Sequence, residues 1–248
     1  MPLPERLRKQ LEARLGPYLG HQDAGSTLSL GNESLDSTLP DGGLPRGVVT
    51  ELAIKGGAAW GTSLALASCR SAQQQALLQG GEEAWCAFVD PSRSLYGPGV
   101  LRAGVRLDRL LVIVPESRSI AQAALRLVRS RLFAVSVIDL RGIPGAWVDV
   151  SLAKWPRIIR QLAAGGEGTP GTVILLTDTN SRRPLPLPVA LRLELDQREI
   201  GELGVTVVKE RHGRLGNRRV VRCQSAVDQC AGVSNCAADG TEEGRIAV

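Results

Sequence analysis

The chain has 248 residues, of which 43% are hydrophobic and 22% charged, with a net formal charge of +5; that is enough for one sizeable core, in proportions ordinary for a globular protein. No apolar run approaches the roughly 20 residues of a bilayer span, and residues 1–18 are charged throughout with no apolar leader core, so the expectation is a cytoplasmic protein with no membrane contact. Cys69, Cys86, Cys223, Cys230 and Cys236 form no Cys-x-x-Cys pair and His21 and His212 lie far apart, which argues against a disulfide framework, a zinc ribbon or another metal site and fits a reducing compartment.

Along the chain, Leu3, Leu7, Leu11 and Leu15 recur at fourfold spacing, drawing an apolar stripe on a helix over residues 1–18 whose other face is charged. Gly16-Pro17 stops it. Residues 19–43, rich in Gly, Ser, Asp and Asn, read as a linker. Residues 44–223 then alternate strand-like and helix-like segments. Strands are expected at 48–54, 85–90, 110–114, 135–139 and 172–177, with helices at 62–79, 117–132 and 150–164. Short apolar strands between amphipathic helices argue for a parallel sheet covered on both faces. After Pro188 the pattern changes to strands at 189–196, 205–210 and 218–223 joined by short turns, so the sheet is expected to finish in antiparallel strands. Residues 224–248 lack periodicity and read as a disordered tail. They carry Asp228, Asp239, Glu242 and Glu243 against Arg245, so the positive surplus lies in the body of the chain. A basic body is compatible with nucleic acid or an acidic partner and demands neither.

Chemistry is expected at the carboxyl ends of the parallel strands. The first strand runs into IKGGAAWGTSLALA, a glycine-rich turn that opens a helix, and a phosphate loop belongs in that position. Thr62 and Ser63 supply the hydroxyls such a loop needs. Its lysine is missing: Gly61 precedes Thr62, Trp60 stands where a small glycine is needed, and Lys55 lies at the wrong end. Without a cation at the transferring phosphate a large electrostatic contribution to catalysis is lost. Two readings stand side by side: a degenerate nucleotide site, or a turn whose glycines serve geometry alone.

The segment LSLGNESLDSTLPDGGLPRGVVTELAI resembles the lead-in to the core of RecA-type recombinases, where a "G…LD..L..GGLP.G.V.E" pattern precedes the phosphate loop. Further on, VRLDRLLVIVPES resembles the family's "LGVD.D.LLV..P" stretch, AVSVIDL its strand ending in a Mg²⁺-associated aspartate (Asp139 here), and ALRLELDQREI and VVKERHGRLGNRRVVRC its closing strands. The resemblance spans about residues 27–223. It implies an α/β, RecA-like three-layer core: a mostly parallel central sheet finishing in antiparallel strands, preceded by an N-terminal amphipathic helix. It also marks a departure. The glutamate that activates water in the family follows its strand by two residues, and here Ser92 takes that place after Asp90. A hydroxyl is a poor base beside a carboxylate. Gly61, Thr62, Ser63 and Asp139 therefore mark a degenerate nucleotide site with no catalytic residues and no cofactor. Asp90 and Asp139 also have a bland reading, since aspartates commonly begin turns at strand ends.

Within the RecA-like group, a short chain with a leucine-striped first helix, a worn phosphate loop and a tail of small residues resembles the ImuA family. That resemblance implies a noncatalytic adaptor of translesion synthesis and mutagenesis in the SOS response, partnered with ImuB and an error-prone DNA polymerase. Leu7, Leu11 and Leu15 are the candidate anchors for a partner, including RecA, whose filaments the protein would limit; the other reading folds that helix back on its own core. Arg182 and Arg183, in DTNSRRPLPLP, are candidate contacts for weak, nonspecific DNA binding. The competing functions are a RecA-like DNA-dependent ATPase with residual nucleotide binding and a SulA-like inhibitor of cell division.

Overall fold

A computed structural model describes residues 27–55, 60–141, 155–179, 187–197, 199, 201–216 and 218–222. Its centre is an eight-stranded sheet, with β1 (Val49–Lys55), β2 (Cys86–Val89), β3 (Leu110–Ile113), β4 (Val135–Asp139), β5 (Thr172–Asp178), β6 (Leu191–Gln197), β7 (Glu202–Glu210) and β8 (Arg219–Arg222). The spatial order is β3-β2-β4-β5-β1-β6-β7-β8. All neighbours from β3 to β6 run parallel, and β6–β7–β8 are antiparallel, as the change of pattern after Pro188 foretold.

Side chains of successive strand residues point to opposite faces, and both faces of the inner parallel strands β2, β4, β5 and β1 are covered. Leu52, Ile54, Phe88, Val137, Ile174 and Leu176 join one core cluster under helix α2 (Trp60–Leu78). Val49, Val89, Ile138, Val173 and Leu175 join the other, with residues from α4 (Ile120–Ser130) and α5 (Trp155–Gly166). Burial on both faces is why these strands read as continuous apolar runs. In β6 buried Leu191, Leu193 and Leu195 alternate with less buried Arg192, Glu194 and Asp196, the pattern of a strand with one covered face.

The structure corrects the reading of residues 27–43 as linker. Leu28, Leu30, Leu35, Leu39 and Leu44 are at most 5% exposed and belong to the α2-side core. Leu28 and Leu44 form an antiparallel bridge, and a one-turn helix α1 (Glu33–Asp36) lies between them. The polar residues that suggested a linker build this turn. The Asn32 side chain accepts from Leu35 N–H, and the Asp36 carboxylate accepts from Leu30 N–H at 2.8 Å and from the Ser29 hydroxyl at 2.5 Å. Such residues serve caps and turns as readily as solvated coil.

Elsewhere the differences are small. The helix expected over 117–132 divides into a 3₁₀ turn (Ser117–Ser119) and α4, and a short α3 (Gly97–Arg102) occupies a stretch given no element in sequence. The helix expected from 150 is described from Trp155. The helix of residues 1–18, the tail of 224–248, Arg182 and Arg183 lie outside the described residues. Among the described residues, no helix is long and apolar enough to cross a membrane.

Candidate functional site

β1 ends at Lys55 and α2 begins at Trp60, so Gly61, Thr62 and Ser63 form the first turn of the helix. α2 lies across β1, β5 and β4. The first turn of α2 is thereby brought to the carboxyl end of β4, where Asp139 is 2% exposed. Gly61, Thr62 and Asp139 thus meet at one end of the sheet, as their positions in sequence implied. Ser63 is exposed on the same turn.

The glycine at 61 has a steric cause. A Cβ there would lie 2.5 Å from Ile54 Cδ1 and 2.7 Å from Ile54 Cγ1, well inside an ordinary carbon–carbon contact of about 3.5–4.0 Å. Ile54 is itself 2% exposed and has little room to withdraw. The helix start therefore packs directly on β1, and a lysine cannot be accommodated at this position without displacing one or the other.

The cation at the site is Arg141, a residue to which the sequence reading gave no role. Its Nε donates to Asp139 Oδ1 at 3.0 Å and its Nη2 to Asp139 Oδ2 at 2.8 Å, while its backbone N–H donates to Oδ1 at 2.9 Å. The same Nη2 donates to the Thr62 hydroxyl at 2.5 Å. The side chains of Arg141 and Asp139 are 18% and 3% exposed. The forked guanidinium suits a two-oxygen grip on a carboxylate. A divalent ion of the kind the resemblance implies does not fit these residues as they stand. Both Asp139 oxygens and the Thr62 hydroxyl already converge on one fixed positive charge. The signal in sequence was an arginine two residues after a strand-terminal aspartate, but the turn that aims it at Thr62 is a tertiary fact.

Ser92 stands in the turn that follows β2. Its hydroxyl lies 3.0 Å from Asp90 Oδ1, to which it donates. Asp90, 1% exposed, also accepts from the N–H groups of Ser94 at 3.1 Å and Leu95 at 2.8 Å. The bland reading of Asp90 is thus the one that the hydrogen bonds support: its carboxylate organises the turn after β2.

One further buried acid was not singled out in sequence. Glu51, the glutamate that closes the "GGLP.G.V.E" pattern, is 2% exposed in the middle of β1. Thr177 Oγ1 donates to its Oε1 at 2.7 Å and Arg192 stands 3.7 Å from its Oε2. Burial raises its pKa, and the Thr177 bond and the Arg192 charge offset part of that rise. A charge inside VVTELAI was the available signal. Glu51 shares the Val49 face of β1, whereas Gly61 meets Ile54 on the opposite one, so it does not join the Thr62–Asp139 group.

Three basic residues of the stretch from Lys209 to Arg222 are engaged within the molecule. Lys209 Nζ donates to Leu187 O at 2.9 Å, Arg214 pairs with Asp41 and Glu210, and Arg218 pairs with Asp196 at 2.6 Å.

No family model matches the chain. It is 40% identical over 115 residues to Protein RecA of Blastochloris viridis, covering 46% of this chain and 30% of that protein. It is 35% identical over 154 residues to Protein RecA of Kineococcus radiotolerans, covering 56% and 42%. The chain thus spans less than half the length of these relatives. Among solved structures it is similar to the RadB recombinase, with a TM-score of 0.61 at 21% identity, covering 79% of this chain and 96% of that one. The fold is RecA/RadB-like, and the chain is related in sequence to RecA at modest identity.

Proposed function

We propose that this protein is a noncatalytic RecA-like adaptor in SOS-induced translesion DNA synthesis and mutagenesis. It works in the cytoplasm, binding ImuB, RecA or both beside an error-prone DNA polymerase, and it limits RecA filaments. The observation that carries the noncatalytic part is the packing of Gly61 on Ile54, which leaves no place for a phosphate-loop lysine at the residue before Thr62. Ser92, turned into the Asp90 turn, supports it from a second side. The partner assignment rests on the resemblance to ImuA proteins and on the leucine stripe of residues 1–18. A helix presenting Leu7, Leu11 and Leu15 can anchor in an apolar groove, and a head-to-tail contact of that kind can cap an assembly as well as extend it.

The test is capture of purified ImuB and purified RecA by the immobilised full chain, with RecA filament length measured alongside. The expected result is capture of at least one of them and shorter filaments. Replacing Leu7, Leu11 and Leu15 together by alanine removes both effects while the far-ultraviolet circular dichroism of the core persists. Failure to capture either protein, or capture that survives the triple replacement undiminished, contradicts the assignment.

A further inference from the structure

The Thr62–Arg141–Asp139 group carries an inference that rests on the noncatalytic reading and deepens it. In a phosphate-loop site a hydroxyl on the first helical turn and an aspartate at a strand end share a hydrated divalent ion. Here the equivalent pair shares a guanidinium: Arg141 Nη2 lies 2.5 Å from the Thr62 hydroxyl and 2.8 Å from Asp139 Oδ2, with Nε 3.0 Å from Oδ1. Arg141 follows β4 by two residues, and its own N–H also holds Oδ1, so the cation is tethered to the carboxylate it neutralises. An arginine remains charged at any physiological pH.

We propose that Arg141 is the resident cation of this site, occupying the place of a divalent ion and tying the start of α2 to the end of β4 in a single, nucleotide-independent state. Two physical consequences follow. A metal ion approaching Asp139 meets a like charge that already engages both carboxylate oxygens, so Mg²⁺ and Mn²⁺ are excluded. The α2–β4 contact also needs no nucleotide to hold it, so partner binding does not follow ATP.

Mn²⁺ paramagnetic resonance on the full chain tests this, with thermal unfolding in parallel. The wild-type protein is expected to show no Mn²⁺ site that depends on Asp139 and no shift of its melting temperature with Mn²⁺. Arg141→Met removes the charge while keeping most of the side-chain volume. It is expected to melt lower, to bind Mn²⁺ roughly tenfold or more tightly than the wild type, and to recover stability when Mn²⁺ is added. Adding Asp139→Asn to it abolishes that binding. A folded Arg141→Met protein that gains no Mn²⁺ affinity overturns the proposal, because a merely structural arginine would lower stability without opening a metal site. Should Arg141→Met not fold, the wild type compared with Asp139→Asn still decides: Mn²⁺ bound by the former and lost in the latter overturns the proposal, and Mn²⁺ bound equally weakly by both upholds it. Partner capture by the wild type, measured on the same preparations, separates the two ideas. Lost capture with unchanged metal behaviour defeats the adaptor reading and leaves the resident cation standing.

Discussion

Replacing Gly61 with alanine places one methyl group between the first turn of α2 and the side chain of Ile54. The built Cβ sits 2.5 Å from Cδ1 and 2.7 Å from Cγ1, so relief requires a shift of about 1 Å to reach ordinary carbon contact. Ile54 is buried, and overpacking of a filled core typically costs about 1–3 kcal/mol. In a chain of this size that corresponds to a fall in Tm of about 3–10 °C. Ile54→Ala alone removes both clashing carbons and leaves a cavity, at a cost of about 2–5 kcal/mol. The double variant puts the new methyl into the space just vacated, so its destabilisation should fall short of the sum of the singles by about 1 kcal/mol or more. Urea unfolding of the four proteins, compared at matching m values, measures that coupling. A neutral Gly61→Ala, or a cycle additive within about 0.5 kcal/mol, would refute the steric account of why no lysine stands at this position.

Three further outcomes follow from the structure. Leu35, fully buried in the segment that composition marked as linker, should lower stability by about 2–5 kcal/mol when changed to alanine, as read by chemical denaturation; a change within about 0.5 kcal/mol, as at an exposed position, would restore the linker reading. Glu51 has its pKa raised above the ordinary 4.5 by burial, so its contribution to stability is fullest below pH 4.5 and is lost as pH rises through the raised value. Glu51→Gln should therefore gain in melting temperature relative to the wild type between pH 4 and pH 7, and a difference that is flat or of opposite sign contradicts this. Glu210 has the reverse shift: hydrogen bonds from Arg214 pull its pKa from 4.5 to about 2, so its contribution is present above 4.5 and lost as pH falls from there toward 2. Arg214→Ala should flatten that acid limb of the stability profile, and an unaltered limb would show that the Arg214 pair does not shape it.

The parallel half of the sheet was legible because strands covered on both faces are nearly all apolar, as in Val135–Asp139, whose bounds agree between sequence and structure. The antiparallel finish was legible from strands joined by short turns after Pro188, as in the β6–β7 and β7–β8 pairs. The 27–43 segment was misread because Ser29, Asn32 and Asp36 have the composition of a solvated loop, whereas their side chains fold the chain around five buried leucines. At the site, the meeting of Gly61 and Thr62 with Asp139 followed from the resemblance and from their places at the carboxyl ends of strands. The role of Arg141 did not, because a guanidinium's reach depends on the turn that aims it. The cause of the missing lysine was equally hidden, since nothing in the sequence reports how closely α2 approaches Ile54.

The adaptor proposed above is a RecA-like scaffold that does not turn over nucleotide. Steady-state ATP hydrolysis by the purified full chain, with Mg²⁺ and single-stranded DNA and beside a RecA control, tests it most directly. The expected rate is indistinguishable from the protein-free background, with and without DNA. A DNA-stimulated rate comparable to that of the RecA control, abolished by Thr62→Ala, would contradict the account.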